Sequence, residues 1–214
     1  MIRPTSLLRL ATVAAAAVSL SACISLFPKS DPATMYRFGF EAPAPPAGEP
    51  KGPMFGVLKA PTGFPRAAAG DQIMTTSNGE VAYIADARWV SPAIVLFDEA
   101  LTRAFDADPG PARLVSRGEG SRGDYSLKLD VRSFEAQYVH GAGSAPEVLV
   151  SVRAVMVRNS DHTLVGDHVF EARSQASDNR VGAIVTAYDA AVSQTMKDLL
   201  LWVNAGGAGP ARQS

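Results

Sequence analysis

From Met54 onward the apolar positions follow one of two periods, and the changes of period parse the chain into elements. Met54 to Ala60 is a mostly apolar run stopped by Pro61 and predicts a strand. Ile73-Met74-Thr75-Thr76 and Val81-Ala82-Tyr83-Ile84 flank Ser77-Asn78-Gly79-Glu80, and Asn-Gly between two such runs predicts a tight hairpin because both residues tolerate positive φ. The period then becomes helical. Ile94, Phe97, Leu101, Ala104 and Phe105 fall on one stripe, and Asp98, Glu99, Thr102, Arg103 and Asp106 on another. Ser91 is the expected cap with Pro92 in the first turn, and Asp108-Pro109-Gly110-Pro111 is the stop.

The second half repeats this order with longer strands. Tyr125, Leu127, Leu129 and Val131 alternate with Ser126, Lys128, Asp130 and Arg132, after which Phe134, Ala136 and Tyr138 carry the bulk on even numbers. That change of phase predicts a bulge near Ser133. Val148 to Val157 is apolar on both faces in its second part, as a central strand would be, and Leu164 to Arg173 is its hairpin partner across Asn159-Ser160-Asp161. The closing helix, with Asp178 as its expected cap, carries Val181, Ile184, Val185, Tyr188, Val192, Met196, Leu199 and Trp202 on one stripe and stops at Asn204 to Gly207. Strands, helix, strands, helix predict a single α+β domain over residues 54–204, a mixed and largely antiparallel sheet layered with two main helices, followed by a flexible tail over 205–214.

The residues before Met54 read differently. Arg3 and Arg9 precede an uninterrupted run of small and apolar residues from Leu10 to Leu20, about 11 residues against the roughly 20 that a spanning helix needs. Residues 1–22 therefore read as a signal peptide. Leu20-Ser21-Ala22-Cys23 ends it with the chain's single cysteine, and this ending resembles the lipobox of bacterial lipoproteins, in which the cysteine is acylated and becomes the first residue of the mature chain. A lone cysteine forms no internal disulfide, so lipidation is the expected role of Cys23. At about 0.8 kcal/mol per buried methylene, two or three acyl chains hold a protein on a bilayer essentially permanently. Ile24, where Asp would resemble the inner-membrane retention signal, favours the outer membrane, on its periplasmic face.

Residues 23–53 are a proline-rich tether, with seven of the chain's 15 prolines between Pro28 and Pro53. Such chain is extended and lacks ladder donors. Met35 to Phe40 breaks the pattern with alternating bulk and is expected to dock as a short edge strand.

Charge excludes one class of partner. The chain holds 20 Lys and Arg against 21 Asp and Glu, and removing the leader takes two arginines and no acid, leaving a net of −3. No basic face for nucleic acid is present.

Motifs for chemistry fail on context. Gly118-Glu119-Gly120-Ser121-Arg122-Gly123 spells G-x-G-x-x-G, but a strand rather than a phosphate-binding helix is expected after it. His140, His162 and His168 are placed in or beside turns, without a convergent carboxylate for a metal. No serine sits in a nucleophile elbow. Neither catalytic residues nor a cofactor are expected, so the chain reads as a non-enzyme. Two aromatic groups remain: Tyr83, Trp89 and Pro92 at the hairpin-to-helix junction, and Phe134 with Tyr138 at the phase change. Each is read either as core packing or as a contact for a partner or lipid, since Trp and Tyr are enriched at interface hot spots.

The blocks Ala87-Arg88-Trp89-Val90-Ser91-Pro92, Leu101-Thr102-Arg103-Ala104-Phe105, Asp124-Tyr125-Ser126-Leu127 running to Phe134, and Ala187-Tyr188-Asp189-Ala190-Ala191 with Leu201-Trp202-Val203 resemble the ABC-type transport auxiliary lipoprotein component family over roughly Tyr36 to Val203. The resemblance implies an anticodon-binding-domain-like sheet with helices against it. It also implies a role beside the MCE-domain lipid importers and the paraquat-inducible system. The partners would be an MCE-domain protein with a separate ATPase and permease, and the cargo phospholipid or another hydrophobic molecule. Some relatives carry an arginine in the strand where this chain has Thr75-Thr76. A lipid-binding periplasmic shuttle and a structural envelope lipoprotein are the alternative readings.

Overall fold

The structure, a computed structural model, describes residues 32–39, 52–115 and 123–207. Its elements belong to a compact unit that starts at Ala33. They are β1 (Thr34–Tyr36), β2 (Phe55–Lys59), β3 (Gln72–Ser77), β4 (Glu80–Trp89), α1 (Ala93–Ala107), β5 (Ala112–Val115), β6 (Tyr125–Gln137), β7 (Glu147–Arg158), β8 (Leu164–Gln175) and α2 (Val181–Gly207). Cys23 and Gly118 to Arg122 lie outside the described residues.

The fold is α+β, with eight strands in one open mixed sheet. β6 is its spine. On one side it runs antiparallel to β7 along its whole length, and β7 runs antiparallel to β8. On the other side β6 is shared: Tyr125 to Leu127 pair with β2, and Ala136 and Gln137 with β3, both parallel. The chain after β2 fills the gap, where Ala60 N–H donates to Leu127 O and Gly63 N–H to Leu129 O, each at 2.9 Å. Gly63 makes room there for the Asp130 side chain, whose Oδ1 would stand 2.5 Å from a Cβ at this position. β5 extends β2, β4 extends β3, and β1 lies parallel to the end of β4.

The Asn78-Gly79 hairpin forms with both residues at positive φ. The bulge expected near Ser133 appears as a register shift between Val131 and Ser133. It moves burial from Tyr125, Leu127, Leu129 and Val131 to Phe134 and Ala136. β7 is central, but its doubly buried part is Val148 to Val152 rather than its second part.

Four other expectations need correction. The cap of α1 is Pro92 at φ −48° and ψ 137°, without a side-chain hydrogen bond, so Ser91 is one residue too early. The buried face of α1 is Ala93, Leu96, Phe97, Ala100, Leu101 and Phe105, because the helix packs against both β5 and α2. Asp178 accepts a 2.7 Å hydrogen bond from Arg180 N–H, ahead of a helix that begins at Val181. His168 lies inside β8, its ring 4.6 Å from Phe170, and not beside a turn. No described helix is long and apolar enough to cross a membrane.

Residues 33–39 belong to the fold and not to a free tether. β1 pairs Thr34, Met35 and Tyr36 with Ala87, Arg88 and Trp89, and Phe38 follows into the core at 1 % exposure. Gly39 is then held between the helices: its N–H donates to Asp189 of α2, and its carbonyl accepts a 2.8 Å bond from Arg103 Nε of α1. At φ +64° and with a would-be Cβ 2.5 Å from Ala100 Cβ, this position admits only glycine without rearrangement.

Candidate docking surface

The two aromatic groups singled out in the sequence separate by depth. Trp89, at the end of β4, and Phe134, just past the bulge in β6, are each 1 % exposed. With Phe38 and Tyr188 they form one ring cluster: Trp89 lies 5.0 Å from Phe38 and 5.2 Å from Tyr188, and Phe134 lies 5.2 Å and 4.9 Å from the same two rings. Aromatic pairs at these distances add about 0.5–1.5 kcal/mol each beyond their buried area. As partner or lipid contacts Trp89 and Phe134 are therefore corrected to core residues, since neither presents a surface. Tyr188 Oη donates to Met74 O at 2.9 Å, and burial, with the nearby Glu135 charge, pushes its phenol well above the ordinary range.

Tyr83, Tyr138 and Pro92 stay at the surface. Tyr83 is 39 % exposed and pairs with Met74, and its hydroxyl donates to Ala67 O at 3.1 Å. Tyr138 N–H donates to Thr76 O, so the two tyrosines flank the same strand, β3. Tyr138 Oη donates to Asn179 Oδ1 at 2.7 Å, and partial burial raises its pKa. Val81, 54 % exposed, and Val139, 59 % exposed, stand beside them. Val81 and Tyr83 are accessible because β4 outruns β1: among the described residues β1 covers only Ala87 to Trp89 and leaves Glu80 to Asp86 paired with β3 alone. Thr75, where the resemblance expects some arginines, is buried and bonds to Ala82 O.

Pro92 lies exposed at the other end of β4, followed by Val95 at 42 % exposure. From Val95 an open depression of about 380 Å³ runs along α1, lined by Asp98, Glu99, Thr102 and Arg103. Its charges are matched. Lys59 Nζ lies 2.9 Å from Asp98 Oδ2 and 2.8 Å from Thr62 Oγ1, and Thr62 Oγ1 donates to Asp98 Oδ1 at 2.6 Å. Arg103 pairs with Glu99 at 3.5 Å. Such a wall offers shape and hydrogen bonds, not a net charge for an anion. Among the described residues no group of three or more His, Cys, Asp and Glu is placed to hold a metal. The docking of the segment around Phe38 agrees with the sequence expectation for Met35 to Phe40, whereas the seat of Gly39 between the helices has no local signal, because its partners lie about 60 to 150 residues away.

The model of the ABC-type transport auxiliary lipoprotein component family matches residues 36–199. The chain belongs to this family. The match begins inside β1, which agrees with the docking of that strand on the domain. A solved structure of protein XCC0632 from Xanthomonas campestris, of the DUF330 family model, is similar with a TM-score of 0.70 and 26 % identity, over 82 % of this chain and 97 % of that one. The hypothetical protein CT253 from Chlamydia trachomatis shares the fold at a TM-score of 0.52 and 9 % identity, over 73 % and 99 % of the two chains. Comparison with curated protein sequences gives no significant match. As an ABC-type transport auxiliary lipoprotein the chain is a component of the cell envelope, associated with an ABC transport system.

Proposed function

We propose that this auxiliary lipoprotein is a non-catalytic periplasmic subunit, held at the outer membrane through acylated Cys23, that docks on the MCE-domain component of an ABC lipid transporter. A separate ATPase and permease supply the energy, and the subunit helps phospholipid or another hydrophobic molecule pass between the two membranes. The family match over residues 36–199 carries this reading. The surface supports it: Val81 and Tyr83 are exposed on one face of β4, Val139 is exposed past the end of β6, and Pro92 and Val95 form a second small patch. Exposed aromatics with apolar neighbours are what a docking contact requires.

The test is co-purification. The tagged full chain is expected to bring down the MCE-domain protein encoded beside it, and Val81→Glu with Tyr83→Ala is expected to weaken that recovery at least tenfold. Recovery of the chain without that protein but with stoichiometric lipid in its native mass spectrum would replace docking by a lipid-carrier role, and recovery with neither would make it a structural envelope lipoprotein. Cys23→Ala is expected to move the protein from the membrane fraction to the soluble periplasm.

A further inference from the structure

β8 is the long free edge of the described sheet. Eleven of its twelve residues pair with β7, on one side only, and Val165 sits at a register shift. Ala176 N–H donates to Pro146 O, and Arg158 N–H to Thr163 O. Carried along the ladder, these two bonds fix which backbone groups are occupied. Even-numbered residues from Gly166 to Ala176 turn their N–H and C=O toward β7, and Asp167, Val169, Glu171, Arg173 and Gln175 turn theirs outward. An open edge of this length is a template for another strand unless side chains forbid it.

The side chains of β8 forbid most registers and favour one. If a second β8 approaches antiparallel across a twofold axis, the outward groups must meet odd residue to odd residue. Two such registers overlap the strands almost fully. With the axis at Val169, Asp167 faces Glu171 of the other copy, a like-charge pair that opposes association. With the axis at Phe170, Asp167 faces Arg173 and Val169 faces Glu171, and each relation occurs twice by symmetry. On the helix side of the sheet that second register sets Phe170 against its twin and His168 against Ala172. Phe170 is already backed by Trp202, ring to ring at 5.8 Å, and Trp202 fits against β8 because Gly166 leaves room for it, a Cβ there standing 2.7 Å from the indole.

We infer that β8 is a self-pairing edge: two copies of the chain join antiparallel about Phe170, Asp167 of each meeting Arg173 of the other, so that the two sheets become continuous. The charges remain compatible with their partners inside each chain. Asp167 is held by Arg153, Nε to Oδ1 at 2.8 Å, and Arg173 reaches Glu147 at 2.9 Å and Glu171 at 3.0 Å. The second Arg173 then joins an existing cross-strand row of alternating charge, which any other register would break. The occupant is a second copy rather than an unrelated strand because the edge complements its own reversed sequence.

The experiment uses the full chain in detergent, with disulfide formation as its readout. Val169→Cys together with Glu171→Cys is expected to give a disulfide-linked dimer under mild oxidation, because those positions face each other at the roughly 5.5 Å Cα spacing of a hydrogen-bonded antiparallel pair. Val169→Cys alone is expected to stay monomeric on a non-reducing gel. Sedimentation is expected to show a dimer for the native chain and at least tenfold weaker association for Asp167→Arg or Arg173→Asp, with association restored when both are combined. Hydrogen exchange and thermal melting confirm that each variant is folded. A native chain that sediments as a monomer, single reversals that associate as well as the native chain, or cross-linking by Val169→Cys alone would each overturn the inference. So would protection of the β8 amides that appears only when the MCE-domain protein is added, which would assign the edge to that partner.

Discussion

Tyr188, in the first third of the closing helix, donates its hydroxyl to the carbonyl of Met74 in β3, 114 residues earlier, at 2.9 Å. The phenol is fully buried, so the bond ties α2 to the first hairpin where water cannot substitute. Tyr188→Phe is expected to lower stability by about 1–3 kcal/mol, the usual cost of stranding a buried acceptor, read as a shift of the denaturation midpoint with an unchanged slope. An unchanged midpoint would show that Met74 O finds another donor.

Phe134 and Tyr83 offer a contrast. Phe134→Ala removes a ring from the centre of the aromatic cluster and is expected to cost about 3–5 kcal/mol. Tyr83→Ala, at a 39 % exposed position, is expected to change the melting temperature little while reducing recovery of the proposed MCE-domain partner. Equal destabilisation by both would mean that Tyr83 packs as core.

Gly39→Ala tests the strap. A non-glycine residue held at positive φ costs on the order of 1–3 kcal/mol, and the added Cβ also meets Ala100. The expected result is faster proteolysis near residues 33–39 than in the native protein. An unchanged cleavage pattern would mean that the strap is held by Phe38 alone.

Asp167 gives a pH-dependent outcome. The hydrogen bond from Arg153, with the charges of Arg153 and Arg132, holds its carboxyl below the ordinary range against a smaller opposing effect of burial. A group whose folded pKa is depressed contributes stability that is complete above its unfolded value, about 3.9, and is lost as pH falls through the folded value. The Asp167 titration, followed by carbon NMR, is expected to have its midpoint below that of an ordinary aspartate. Arg153→Gln is expected to move it upward. A midpoint indifferent to Arg153 would leave the pair without influence.

The elements were legible where local chemistry decides them. Asn78-Gly79 announces its hairpin, and the passage of bulk from Val131 to Phe134 announces the bulge, because turn geometry and strand alternation need no distant partner. β5 was not read: Ala112-Arg113-Leu114-Val115 is too short for a period to show, and its strand character comes from β2 beside it. The candidate surface was read only in part. Trp89 and Tyr83 stand six residues apart on one strand with similar chemistry, and what separates them is Phe38, Phe134 and Tyr188, brought to Trp89 alone by the fold. The docking of Met35 to Phe40 was legible from its alternating bulk, but the need for glycine at position 39 was not, since it is set by Ala100.

The strap also decides how the domain would bear tension. A pull on the chain entering at Ala33 acts along β1, so its parallel ladder with the end of β4, which includes Val90 N–H to Tyr36 O at 2.8 Å, resists it in shear and not bond by bond. Behind them Phe38 is lodged among rings, like a knot behind an eyelet. The mechanical attachment point is therefore the core itself: tension that outlasts the β1 ladder passes through Phe38 to Trp89 and Phe134.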